Sequence, residues 1–197
     1  EVMRPVGDGT ETQFPLAYVR TGPRGKVPVL MVPGGPGLAS VLPYRSLRRR
    51  AEHAGLDVLM MEHRGVGLSR RDLHGNELPS EAVTVDHVVE DLAAVLDDAG
   101  VERVIVYGSS YGTYLAQGFG VRYPDRVVGM VLDSPMLSVA DDIEGARSYR
   151  RGLFLEATDP DLAPVVEALR TALARGVPEP EINVVVQIAY EYGGPDL

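Results

Sequence analysis

The sequence predicts an α/β fold in which a mostly parallel β-sheet is flanked by helices, and three observations predict it. Short apolar runs rich in branched residues alternate with helix-compatible segments over residues 14–137. Hydrophobicity within those runs is continuous rather than alternating, the pattern of strands buried on both faces. Glycine and proline gather at the joints between the runs, not along linkers. With 197 residues, 45% of them hydrophobic and 24% charged, the chain has a globular composition and can bury a core without disulfides.

Residues 14–20 read as a strand, and residues 27–32 as a second one stopped abruptly by Pro33, Gly34, Gly35, Pro36 and Gly37. Residues 44–54 are helix-compatible and end at Gly55, a suitable C-terminal cap, before the apolar run 56–61. Over residues 84–99 the apolar positions Val85, Val88, Val89, Leu92, Val95, Leu96 and Ala99 recur at helical spacing, with Thr84 as N-cap and Gly100 as stop. Residues 104–107 form the next strand, 111–123 the next helix and 127–132 the next strand. Beyond Pro135 the alternation ceases, and residues 142–155, 162–175 and 182–192 read as helices. The expected organisation is a core over residues 1–137 followed by a helical segment over 138–197.

Composition excludes several classes of function. The chain carries 19 basic and 28 acidic residues, a net charge of −9, which opposes a protein that tracks phosphate backbones. Absence of cysteine removes thiolate nucleophiles, disulfides and Cys-based zinc sites. It leaves the compartment open between the cytoplasm, the working expectation, and secretion. Apolar runs such as 130–132 and 184–186 fall far short of the roughly 20 residues of a membrane span. Arg70 stands where a dinucleotide fingerprint over Gly65 and Gly67 would need its last glycine, and the histidines follow no zinc-ligand spacing. No nucleic acid, membrane, metal or cofactor is expected as a partner.

Gly108, Ser109, Ser110, Tyr111 and Gly112 form GxSxG between a predicted strand and a predicted helix, the context in which that motif marks a nucleophile rather than a glycine-rich turn. A serine on so sharp a turn needs glycine two positions away on either side, where side chains would collide with the turn. Ser110 is therefore the candidate nucleophile. The N-terminus of the following helix faces the oxyanion that forms when a serine attacks a carbonyl. The N–H of Tyr111 and that of Gly35, in the loop after an earlier strand, are the candidate oxyanion donors.

Three segments together, PGGPG at 33–37, EHRGVGLS at 62–69 and GSSYGTYLAQGFGVRYPDRV at 108–127, resemble the proline iminopeptidase and tripeptidyl aminopeptidase branch of the α/β hydrolases. Iminopeptidases carry HGGPG, and Pro33 stands where that histidine belongs; PGGPG is closer to the tripeptidyl members. Glu62 and His63 occupy the first two places of a segment that usually begins with Asp, while Arg64, Gly65 and Gly67 match. The resemblance implies an α/β-hydrolase fold, no cofactor, and removal of N-terminal residues, among them proline, from short peptides through an acyl-enzyme. A carboxylesterase of the same fold is the alternative within enzymes, and a noncatalytic fragment or binding module the alternative outside them. Arg64 is expected to hold backbone and carboxylates together.

The family's acid and histidine follow later strands, in the order Ser, Asp, His. All four histidines, His53, His63, His74 and His87, precede Ser110. The expectation is thus an N-terminal part of the core, cut before the last strands after about six of them. Residues 138–197 would begin a helical cap, and the catalytic Asp and His would lie beyond Leu197. The chain alone should then turn over little. His63, beside the site, is the remaining candidate base. Asp133, at a strand end, is a candidate acid, with a loop-capping role favoured for it. In the resembled family cap acids hold the substrate's amino terminus; Glu144, Glu156, Glu181 and Glu191 are the candidates here.

Overall fold

The structure is a computed structural model that describes residues 1–24, 27–156, 158–178, 181–182 and 184–186. The chain divides into two compact units, Glu1–Leu137 and Ser138–Leu197.

In the first unit, β1 (Val2–Pro5) and β2 (Gln13–Leu16) form an antiparallel ribbon. The main sheet contains β3 (Tyr18–Thr21), β4 (Val29–Val32), β5 (Val58–Met61), β6 (Val104–Ser109) and β7 (Val127–Asp133) in the order β3-β5-β4-β6-β7. Pairings β4–β5, β4–β6 and β6–β7 are parallel, and β3 runs antiparallel to β5 at one edge. Helices α1 (Arg45–His53), α2 (Val85–Asp98) and α3 (Tyr111–Arg122) connect the strands.

The helix over residues 85–98 forms as its periodicity predicts. Thr84 caps it, its side chain accepting from His87 N at 3.2 Å, and Val88, Val89, Leu92, Val95 and Leu96 are buried. Leu92 and Leu96, both 0% exposed, each contribute about 1.5–3 kcal/mol on burial. With Leu30, Val32, Val104, Val106, Leu115 and Phe119 they make the core under α2 and α3.

The structure corrects three expectations. The single strand over 14–20 is two strands in two sheets. Ala17 marks the break: its N–H donates to Ser69 Oγ at 2.9 Å and its carbonyl accepts from Glu62 N at 2.7 Å, so long-range partners hand the chain from ribbon to sheet. β1 was not anticipated, because four residues of alternating partial burial contain no apolar run. Burial on both faces occurs in β5 alone among the described strands of four or more residues, whereas β4 and β6 alternate. The core of α2 and α3 covers one face, and α1 packs on β3 and β5, leaving Val29, Met31, Ile105 and Tyr107 half-buried. With the ribbon included, seven strands are described, one more than the expected six.

In the second unit, α4 (Val139–Phe154) and α5 (Ala163–Ala174) pack on each other. α4 starts earlier than expected because Ser138 caps it, accepting from Asp141 N at 3.3 Å. Glu191 and the expected helix beyond residue 186 lie outside the described residues. No described helix is long and apolar enough to cross a membrane.

Candidate active site

Ser110 is exposed and sits between β6 and α3 at φ 50° and ψ −124°, a left-handed conformation rare for a residue with a side chain. Backbone partners hold it there. Ser110 N donates to Asp133 O at 2.8 Å, and Ser110 O accepts from Thr113 N at 2.8 Å and Thr113 Oγ1 at 2.6 Å. The buried Thr113 hydroxyl in turn accepts from Met136 N at 2.8 Å. Both motif glycines are sterically required. A Cβ on Gly108 would come within 2.6 Å of Gly112 O, and one on Gly112 would fall on Val32 O. The turn can form only where these two residues have no side chains.

The loop after β4 approaches this turn closely. A Cβ on Gly34 would lie 3.1 Å from Ser110 Cβ and 3.7 Å from Ser110 Oγ. Gly35 has φ +147°, and the Gly35–Pro36 peptide is cis. Gly34, Pro36, Gly37, Ser40, His63 and Tyr111 line one cleft, so the glycine-rich loop, the start of α3 and the end of β5 share a wall. Burial raises the Tyr111 phenol above its ordinary pKa and keeps it protonated.

Residues 62–69 follow β5 and are fixed by buried polar side chains. Arg64, 1% exposed, binds Asp91 of α2 with Nε to Oδ2 at 2.6 Å and Nη2 to Oδ1 at 2.7 Å. Its Nη1 donates to Ala82 O and Val6 O, and its guanidinium carbon lies 5.1 Å from the Phe14 ring centroid. Arg64 thus ties backbone and carboxylate together, as the sequence led us to expect. Arg4 Nε reaches Asp91 Oδ1 at 2.8 Å. Glu62, 2% exposed, accepts from Ser40 N and Val41 N.

His63 Nδ1 is 3.1 Å from Arg64 O, a pure acceptor, which assigns the ring proton to Nδ1 in the neutral form. Its Nε2 is buried without a hydrogen-bond partner among the described residues, and burial lowers its pKa. The ring lies 6.2 Å from that of Tyr111. None of the four histidines hydrogen-bonds Ser110 among the described residues; His53 and His74 are exposed, and His87 faces Asp8. The exposed Asp133 carboxylate accepts from Tyr107 Oη at 2.9 Å and lies 3.5 Å from Ser109 Oγ, so its partners here are side-chain hydroxyls. The hydrogen bond to this carboxylate, with partial burial, raises the Tyr107 pKa. Glu144, on α4, is exposed, as are Glu156 and Glu181.

Sequence reasoning missed Asp91 and Thr113. Asp91 left a signal, an acid set on the apolar stripe of α2 between Val88 and Leu92. Among the described residues no group of three or more His, Asp or Glu is placed to hold a metal ion.

A serine on a strained turn between strand and helix, opposite a glycine-rich loop at the end of neighbouring parallel strands, defines a hydrolase scaffold. The chain belongs to the α/β hydrolase fold family, which matches residues 27–174. It is 32% identical over 115 residues to the proline iminopeptidase of Thermoplasma volcanium, covering 58% of this chain and 36% of that protein. It is 30% identical over 127 residues to the 2-hydroxy-6-oxononadienedioate/2-hydroxy-6-oxononatrienedioate hydrolase of Burkholderia vietnamiensis, 64% of this chain and 41% of that one. The crystal structure of a proline iminopeptidase-related protein from Thermus thermophilus superposes with a TM-score of 0.53 at 28% identity, over 70% of this chain and 45% of that chain. The chain therefore spans less than half the length of these relatives.

Proposed function

We propose that the protein carrying this chain is a serine hydrolase that removes N-terminal residues, proline among them, from short peptides, without a cofactor. The observation that supports it best is the exposed Ser110 at φ 50°, on a turn that both Gly108 and Gly112 must leave free of side chains. In this reading Ser110 Oγ attacks the carbonyl carbon of the first residue and gives its proton to a general base. The N–H groups of Gly35 and Tyr111 stabilise the oxyanion. The C–N bond then breaks, the departing amine takes the proton, and water hydrolyses the acyl-enzyme. The base and its orienting acid come from outside the described residues, so residues 1–197 alone should show only residual activity. Ser138–Leu197 opens the helical cap. The Thermoplasma and Thermus relatives support the peptidase branch. The Burkholderia relative supports a second reading, hydrolysis of an unsaturated 2-hydroxy-6-oxo diacid by the same serine.

The test compares proline and alanine nitroanilides, a nitrophenyl ester and an unsaturated oxo diacid, with and without Ser110→Ala. Proline-amide turnover that vanishes in the variant supports the reading. Turnover that persists in the variant overturns Ser110 as nucleophile, and activity confined to the ester or the oxo diacid overturns the peptidase assignment.

A further inference from the structure

We propose that Glu62 is a positioning residue: its buried carboxylate sets where the glycine-rich loop 33–37 presents its N–H groups to Ser110. The inference rests on the reading of Ser110 as nucleophile and Gly35 as oxyanion donor.

The loop leaves β4 at Pro33 and passes through Gly34, Gly35, Pro36 and Gly37; the prolines stiffen it locally, while the three glycines leave its course dependent on what holds the chain at either end. Its near end is held by the sheet, where Val32 is in register with Gly108. Three residues past its far end, at Ser40 and Val41, the chain is held by Glu62. One oxygen, Oε2, accepts from Ser40 N at 3.1 Å and from Val41 N at 2.6 Å. The single Ser40 hydroxyl proton lies between Met61 O at 2.7 Å and the same Oε2 at 3.2 Å. Ser40 and Val41 are themselves buried, so these are charge-assisted bonds shielded from water.

The carboxylate is also braced from behind. A Cβ on Gly67 would fall on Glu62 Oε1, and the same point lies 3.3 Å from Ala39 Cβ. The absence of a side chain at Gly67 thus leaves the space that the carboxyl occupies. Glu62 is tied to the scaffold through its own N–H, which donates to Ala17 O at 2.7 Å, and two residues later Arg64 is locked to Asp91. A rigid path therefore runs from α2 through Arg64 and Glu62 to the far end of the loop, while Gly34, near its other end, touches Ser110. Glu is longer by one methylene, so the carboxylate reaches further towards Ser40 and Val41 than an aspartate would.

An oxyanion donor acts on charge that develops only in the transition state, so a displaced loop should lower kcat and leave KM nearly unchanged. The experiment uses the full-length protein with three substitutions, Glu62→Gln, Glu62→Asp and Ser110→Ala. Steady-state kinetics on a proline amide are read together with amide hydrogen exchange at Ser40 and Val41, and protection of the α2 core is the folding control. Glu62→Gln should lower kcat by about tenfold to a hundredfold, the cost expected for a misplaced donor, with KM within about twofold. Exchange at Ser40 and Val41 should accelerate while α2 stays protected. Glu62→Asp, which keeps the charge, should recover part of the loss.

Ser110-dependent turnover that Glu62→Gln leaves unchanged overturns the positioning role alone, whatever happens to exchange. A fall in kcat with exchange at Ser40 and Val41 unaltered also overturns it, because the anchor is then not the cause. Absence of Ser110-dependent turnover in the unsubstituted protein overturns the reading of the site, and this role with it.

Discussion

The serine turn at 108–112 and the loop at 62–69 leave strands β6 and β5, which flank β4 on either side, and they reach definite conformations by opposite means. The turn is shaped by missing side chains. Gly108 and Gly112 let backbone meet backbone, and Ser110 stays exposed in a strained conformation. The loop is shaped mainly by buried polar side chains, with Arg64, Glu62 and Ser69 all at 2% exposure or less, and Gly67 leaves room for the Glu62 carboxyl. On the reading proposed above, Ser110 must reach solvent and substrate, so nothing bulky can hold it directly. A neighbouring loop that only supports can be locked from within. The strained turn is held by the bonds from Ser110 N to Asp133 O and from Thr113 to Ser110 O.

Substituting each region should separate chemistry from stability. On the reading proposed above, Ser110→Ala has the largest effect, a loss on the order of 10⁶ in turnover. Its unfolding free energy should stay within about 0.5 kcal/mol of the original. Steady-state kinetics beside urea unfolding check both parts, and a large stability change would erase the contrast between the two regions.

Arg64→Met comes next. It leaves Asp91, 0% exposed, with only Arg4 paired to it among the described residues, and should destabilise by about 3–5 kcal/mol. Adding Asp91→Leu should restore part of that loss, since an apolar pair removes the uncompensated buried charge. Urea unfolding of the single and double variants measures the difference.

Gly112→Ala drives a methyl group onto Val32 O and should cost about 1–3 kcal/mol. In contrast to Arg64→Met, it should lower turnover out of proportion to stability, because it moves Ser110 and the N-terminus of α3 together. Activity that simply tracks stability would remove this distinction.

The smallest effect is a pH dependence at His63. Burial lowers its pKa in the folded protein, so the unfolded chain binds the proton more readily. Its contribution is present above the ordinary histidine pKa of about 6.5 and is lost as pH falls below it. The urea midpoint should decline from neutral to mildly acidic pH, and His63→Gln should flatten that decline. An unchanged slope would show that His63 is solvated in the folded protein.

Much of the scaffold was legible because its signals are local. The stripe of α2, the stop at Pro33 and the glycines around Ser110 each act within one turn or one strand end. The split at Ala17 was not legible, since it depends on Ser69 Oγ and Glu62 N, far along the chain. One-sided burial of β4 and β6 was equally hidden, because a run such as Val29–Val32 looks the same whether one face or both are covered. Asp91 could have been noticed as an acid on an apolar stripe, but its partner Arg64, 27 residues away, could not be paired with it from spacing.

By itself, then, the sequence determined the alternation of strands and helices from β4 to β7 and the place of Ser110 at a strand-to-helix turn. Backbone propensity and the steric demands of glycine operate over a few residues, and the letters record them directly. Only the tertiary structure decided that Gly34 abuts Ser110, that Glu62 anchors Ser40 and Val41, and that His63 lies half-buried beside Tyr111. Those relations arise where β4, β5 and β6 bring three distant loops to one end of the sheet. A buried carboxylate or imidazole takes its role from whichever donors and acceptors the packing leaves within reach.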